Sequence, residues 1–134
     1  LMIGLGVSSI SDSWYSFAQN EKTLEDYYRR IERNELPVFK GHLLSDEDLV
    51  IRKHILNLMC SFQTSWNAPG TYFTELPDVL VSLREMEYDG LLELNTDSIS
   101  ITEEGKPFVR NVCMAFDLKL KRTAPETRLF SMTI

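Results

Sequence analysis

Residues 75–104 read ELPDVLVSLREMEYDGLLELNTDSISITEE, and the way this stretch folds decides the architecture. Pro77 is tolerated in a first helical turn, where its missing N–H would have no intrahelical partner anyway. Val79, Leu80, Leu83 and Met86 follow at helical spacing, which predicts a helix from about Pro77. Asp89-Gly90 ends it, because glycine takes the left-handed conformation past a last turn without steric cost. Residues 91–94 and 99–102 then flank the polar turn Asn95-Thr96-Asp97-Ser98, which predicts two short strands in a hairpin. Thr102 reads as the cap of a last long helix, with Glu103 and Glu104 in its first turn. Val109, Val112, Cys113, Phe116 and Leu120 form the apolar stripe of that helix.

Upstream, residues 46–62 give the clearest helix in the chain. Ser45 caps it, Asp46, Glu47 and Asp48 sit where the helix dipole favours negative charge, and Ile51, Ile55, Leu58, Met59 and Phe62 form the expected core stripe. A shorter helix is predicted over 24–33, capped by Thr23, carrying Leu24, Tyr27, Tyr28 and Ile31, and ended by Asn34 and Pro37. The remainder reads as connections. Residues 36–44 are an extended linker turning at Gly41, 63–74 a loop around Pro69-Gly70, and 13–22 a loop bearing Trp14, Tyr15 and Phe17. Residues 1–12, with Gly4 and Gly6, suit a strand turning into a loop that lets backbone pass close to a neighbour. The expected fold class is therefore mostly α with one small β-hairpin, in the helix, hairpin, helix order of a winged-helix-like domain. No internal repeat interrupts it.

A winged helix often reads DNA, and charge tests that use. Residues 75–104 hold nine acidic residues against the single base Arg84. A groove-reading surface must neutralise phosphates, so DNA is not the expected partner, and the overall charge of −6 disfavours nucleic acid and anionic membrane alike. With 134 residues, 43% of them hydrophobic, the chain suits one domain with a real core. It contains no run of about 18 apolar residues, and its apolar opening lacks the basic leader of a secretory signal. Leu1 falls in mid-pattern, which reads as an excised piece of a longer chain. Two cysteines without a CxxC pair, Cys60 and Cys113, both on predicted apolar faces, read as buried, reduced thiols and point to the cytoplasm.

The residues alone nominate little chemistry. His42 falls in the linker, His54 is assigned to the solvent face of the second helix, and neither has carboxylates or thiols at ligand spacing, so no metal site is expected. No nucleophile–base pair stands out, and the two glycines of GLG are too few for a phosphate-binding loop.

Three strings say more. GLGVSSIS (4–11) with Ala18-Gln19-Asn20 and Tyr27-Tyr28 comes first. Residues 35–41, ELPVFKG, with Asp46, Arg52-Lys53 and Leu58-Met59-Cys60, come second. Thr102, Gly105, RNVCMAFD (110–117) and Phe130-Ser131 come third. In this order they resemble the C-terminal region of oxygen-independent coproporphyrinogen III oxidases, members of the radical S-adenosylmethionine family.

That resemblance implies a layout. Residues 1–22 would be the end of a catalytic barrel and its connecting loop, 23–122 the helical, winged-helix-like C-terminal domain, and 123–134 a tail. The resemblance also implies a parent enzyme that uses a 4Fe-4S cluster and S-adenosylmethionine to decarboxylate two propionates of coproporphyrinogen III to vinyl groups, giving protoporphyrinogen IX for haem. The CxxxCxxC cluster motif of such enzymes lies in the barrel and is absent here, so this piece would act as a cover, inactive alone, with no catalytic or metal-binding residue of its own. Its partners would be the barrel of the same chain and coproporphyrinogen III. Ile10 matches the family isoleucine that contacts a second S-adenosylmethionine; from the residues alone it reads as ordinary strand core. Arg52 and Arg110 lie in family-like strings and are candidates for substrate carboxylates, which the planar guanidinium fork suits. Each has an alternative structural reading, Arg52 pairing with Asp48 and Arg110 tying its helix to a neighbour. The rival function is a haem-binding or protein-interaction module of a homologue without decarboxylase activity.

Overall fold

Thr23 and Ser45 start the first two helices through side-chain caps. Thr23 Oγ1 accepts from the Asp26 N–H at 3.2 Å, and helix α1 runs Leu24–Glu32. Ser45 Oγ accepts from the Asp48 N–H at 3.2 Å while the Asp48 carboxylate accepts back from the Ser45 N–H at 2.9 Å, so two otherwise orphaned donors of helix α2, Asp46–Ser61, are satisfied reciprocally. The computed structural model describes residues 1–123, which fall into two compact units, the first Leu1–Leu49 and the second from Val50 onward.

In the first unit, strands β1 (Ile10–Asp12), β2 (Ser16–Asn20) and β3 (Val38–Leu43) form an antiparallel sheet in the order β1-β2-β3. Helix α1 connects β2 to β3, is capped at Arg33 and is followed by Asn34, whose left-handed φ of 57° an asparagine tolerates well. None of α1 is buried within the unit: Leu24, Tyr28 and Ile31 are exposed, as are Leu1, Ile3, Leu5, Trp14, Tyr15 and Leu36. Asn20 is the one residue of the unit that reaches full burial.

The second unit has a conventional core. Strands β4 (Gln63–Ser65), β5 (Leu92–Leu94) and β6 (Ser98–Ile101) form an antiparallel sheet with β6 in the middle. Helices α3 (Leu76–Ser82) and α4 (Arg84–Tyr88) lie between β4 and β5; a 3-10 turn, Lys106–Phe108, leads into α5 (Val109–Phe116) and α6 (Leu118–Thr123). Leu58, Leu76, Val79, Leu83, Leu92, Ile99, Val112 and Phe116 are closed off from solvent, each contributing about 1.5–3 kcal/mol of burial. Glu87 clips α4 to β5: its carboxylate accepts from Arg84 at 2.7 Å and from the Leu94 N–H at 3.2 Å. Arg122 likewise reaches Glu75 at the start of α3.

His54 sits inside this core, 1% exposed, which corrects its assignment to the solvent face. Its Nε2 lies 2.7 Å from the Thr71 carbonyl, which can only accept, so Nε2 carries the proton; Nδ1 therefore accepts from the Thr64 hydroxyl at 2.8 Å. The ring stacks on Phe116 and leans on Phe73, with centroids 5.6 and 5.8 Å away. Ile51 and Leu58 are buried as the helical stripe predicts, with Ile55 and Phe62 packed against the core, but Met59 and Cys60, expected in it, are exposed, and His54 completes the buried row.

Other expectations also change. The class is mixed helix and sheet, because 13–22, 36–44 and 63–74, read as connections, each contribute a strand, and the hairpin belongs to a three-stranded sheet. No barrel forms among the described residues. The helix predicted from Pro77 breaks at Leu83, where the Ser82 hydroxyl donates back to the Val79 carbonyl at 2.7 Å. Thr102 caps a turn instead of a long helix: Oγ1 accepts from the Gly105 N–H at 3.1 Å and donates to the Gly90 carbonyl at 2.8 Å. Gly90 does end its helix in the left-handed region, at φ 74°. The Leu120 side chain, the tail beyond Thr123 and Phe130-Ser131 lie outside what the structure describes.

Two outcomes follow from this packing. A β-carbon on Gly105 would stand 1.7 Å from the Leu91 carbonyl oxygen, with backbone and not a flexible side chain in the way. Gly105→Ala is therefore expected to destabilise the chain by about 2–4 kcal/mol in urea titration. For His54, burial holds the proton affinity below the ordinary imidazole value of 6.5; the Thr71 carbonyl opposes this and Lys53 reinforces it. Below pH 6.5 the unfolded chain takes up a proton that the folded chain refuses, so stability falls as pH drops, by up to about 1.4 kcal/mol per pH unit. Denaturation midpoints between pH 7.5 and 5 test this, and His54→Gln should flatten the contribution.

Candidate functional site

The glycines of 4–9 shape the entrance to β1. A β-carbon on Gly4 would meet the Ile10 backbone at 2.6–2.9 Å, and Gly6 sits at φ 93°, so both positions need glycine, one for space and one for conformation. Buried Asn20 fastens this loop, its Nδ2 donating to the carbonyls of Gly4 at 3.2 Å and Gly6 at 2.9 Å. Gly4 N–H donates to Ser11 Oγ at 3.1 Å, and Ser8 N–H to the Glu21 carbonyl at 2.8 Å. The loop delivers the chain to Ile10, the first residue of β1.

Register then places the side chains. Ile10, Gln19 and Lys40 are cross-strand partners, Ser11, Ala18 and Gly41 form the next row, and Asp12, Phe17 and His42 the one after. Cross-strand partners share a face and successive rows alternate, so the first and third rows stand on one face. Between them, the Ala18 and Gly41 backbone floors a trough walled by Ile10, Gln19 and Lys40 on one side and Phe17 and His42 on the other, an open cavity of about 640 Å³. Its walls are apolar at Ile10 and Phe17 and basic along β3. His42 Nε2 lies 3.6 Å from the Asp48 carboxylate, and Asp12 accepts from the Trp14 N–H at 2.9 Å.

Of the predicted site residues Ile10, Arg52 and Arg110, only Ile10 lines this trough, half exposed at the strand start, joined there by Phe17 of the aromatic segment 13–22. Arg52 is half-buried on α2 and Arg110 exposed on α5; both belong to the second unit and neither lines the cavity there, a polar hollow of about 380 Å³ among Asn57, Ser61, Gln63 and Ser100. Gln19, Lys40 and His42 were missed. The signal for Lys40 and His42 was the alternation of Phe39-Lys40-Gly41-His42-Leu43, passed over because Gly41 marked the stretch as a turn.

Chemically, the trough combines apolar walls with the ammonium of Lys40 and the imidazole of His42, a lining that suits a small ligand with an anionic group. Among the described residues no group of three or more His, Cys, Asp or Glu is placed to hold a metal ion, so an iron–sulfur cluster does not fit this chain's own side chains. No helix among them is long and apolar enough to cross a membrane.

No family model matches the chain. Individual proteins do. Oxygen-independent coproporphyrinogen III oxidase of Salmonella typhimurium is 32% identical over 128 residues, covering 92% of this chain and 28% of the relative. The protein of the same description from Escherichia coli K12 is 32% identical over 132 residues, and that of Synechocystis 33% over 145, covering 99% of this chain and 30% of the relative. The matches lie in the C-terminal part of those proteins. The solved Escherichia coli coproporphyrinogen III oxidase, described as a radical SAM enzyme, superposes on 88% of this chain with a TM-score of 0.78 at 29% identity.

The chain is a homologue of the C-terminal part of oxygen-independent coproporphyrinogen III oxidases. It spans a little over a quarter of the length of these relatives, about 28%. Of the trough's lining, Ile10, Ala18 and Gln19 fall in the first of the strings that carried the resemblance and Lys40 and Gly41 in the second, while Phe17 and His42 lie outside them.

The two thiols of this homologue should differ in reactivity. Cys60 is exposed, whereas burial raises the proton affinity of the half-buried Cys113 thiol, with Arg110 opposing weakly. Titration with a thiol reagent at pH 8 should show one fast and one slow group, and Cys60→Ser should remove the fast one.

Proposed function

We propose that this chain is the C-terminal accessory part of an oxygen-independent coproporphyrinogen III oxidase, covering the active site of a radical S-adenosylmethionine barrel carried by the rest of the polypeptide. The observation that carries this reading is the match over 92% of the chain, at 32% identity, to the C-terminal part of enzymes of that description. The bare apolar surface of the first unit supports it, since residues such as Leu5, Leu24 and Leu36 find no cover within their own unit.

In this reading, residues 1–22 close the barrel, 23–122 form the accessory domain and 123–134 the tail. The sheet order β4-β6-β5, entered from α2 and interrupted by α3 and α4, supports a winged-helix-like second unit. The acidity of residues 75–104 suits a packing module better than a nucleic-acid reader. The complete protein holds a 4Fe-4S cluster and S-adenosylmethionine, which together supply the radical chemistry that converts two propionates of coproporphyrinogen III to vinyl groups. This chain's own residues position and exclude water: the 4–9 loop sets Ile10 at the rim of the trough, where it packs against a second S-adenosylmethionine, and Arg52 and Arg110 are the candidates for contact with substrate carboxylates.

The complete polypeptide, reconstituted anaerobically with iron, sulfide and a reductant, should form protoporphyrinogen IX from coproporphyrinogen III, and the 134 residues alone should not cleave S-adenosylmethionine. Absence of turnover in a protein with an intact cluster spectrum overturns the proposal. In the same protein, Ile10→Asp should weaken S-adenosylmethionine binding about tenfold, the scale of losing one apolar contact, while the cluster spectrum stays unchanged.

A further inference from the structure

The trough has a chemistry that Ile10 alone does not express. Rows on one face of a sheet stand two residues apart, about 6.8 Å, which leaves close to one carbon contact distance of roughly 3.5 Å on either side of a flat ring set between them. Ile10 and Phe17 offer that ring apolar walls, and the Ala18 and Gly41 backbone gives it a floor without side chains on this face.

Charge gives the trough a direction. Lys40 is exposed at the β3 end of the first row and has no ion-pair partner among the described residues. Three other bases of the unit are committed: Arg29 to Asp26 at 2.9 Å, Arg30 to Glu21 at 2.9 Å, and Lys22 over the Phe39 ring at 5.3 Å. Within Lys40's own row the neighbours are Gln19 and Ile10, both uncharged. Two carboxylates stand near the third row: Asp12 at the diagonal corner, two strands and two residues away, roughly 12 Å from strand geometry, and Asp48 beside His42. An anion is therefore drawn to the β3 end of the first row and repelled from the third.

We propose that Lys40 anchors a carboxylate, and that the trough of β1, β2 and β3 takes a flat heteroaromatic ring tethered to that carboxylate. An ammonium on a flexible stem suits such a group as a point charge while the ring packs on Ile10 and Phe17. Two ligands of the proposed enzyme share this chemistry: a pyrrole of coproporphyrinogen III with its propionate, and S-adenosylmethionine with its adenine and amino-acid carboxylate. The choice of probes rests on the proposed function; the anchor itself rests on the trough.

Equilibrium binding of each probe to the complete protein, wild type against Lys40→Gln and Lys40→Arg, decides the matter. Loss of a charge-assisted contact should raise the Kd of one probe about tenfold in Lys40→Gln, with Lys40→Arg near wild type. The methyl ester of that probe should bind wild type and Lys40→Gln alike. Which probe responds identifies the source of the carboxylate. Unchanged affinity for both probes, no binding of either to the wild type, or an equal loss for the methyl ester overturns the anchor. Probe binding that depends on Lys40 in a protein without decarboxylation sustains the anchor and sinks the proposed function alone; turnover with affinity indifferent to Lys40 does the reverse.

Discussion

The hydrogen-bonded imidazole of His54 is the constraint on which the second unit turns. A buried polar ring is tolerated only when both nitrogens are satisfied, and here one partner comes from β4 and the other from the loop before α3. The ring thereby fixes α2 relative to the edge strand and to the approach of α3, while Phe73 and Phe116 close over it from the loop and α5. Four segments distant in sequence meet at one side chain. An apolar residue of similar size would fill the volume but leave the Thr71 carbonyl and the Thr64 hydroxyl without this partner, so the site is specified by chemistry as much as by shape.

This also explains what could and could not be read from the sequence. Helices whose caps and stripes are local in sequence were legible: Thr23 and Ser45 start α1 and α2, and Gly90 ends α4. The hairpin around Asn95 was legible because its turn and both strands lie within twelve residues. What failed was everything settled by distant partners. His54 is polar, and nothing local announces that Thr64 and Thr71 will receive it. β4 is three residues of Gln-Thr-Ser, with no apolar alternation, and becomes a strand only because β6 offers its edge.

The same reasoning applies to the candidate site. The glycine string 4–9 was visible as a place where backbone passes close to something, and the structure shows part of that something: Ile10 backbone against Gly4, and the buried amide of Asn20 beneath Gly4 and Gly6. The trough itself was not visible, because its walls come from three strands of which only the first was anticipated. Lys40 and His42 acquire meaning only once register sets them on the face of Ile10 and Phe17.

The two units divide their labour along thermodynamic lines. The second buries a continuous apolar cluster from Ile51 to Leu118 and has the makings of an independent fold. The first buries one polar residue and leaves at least nine large apolar side chains in water, a surface that soluble chains of this size rarely leave bare. A sheet of that kind is held by its ladder and by the Asn20 staple, with little hydrophobic contribution of its own, and it gains most from whatever covers it. In the proposed reading, that asymmetry puts the ligand-facing residues on the less self-sufficient unit, where closure over a ligand and burial of the apolar surface can be the same event.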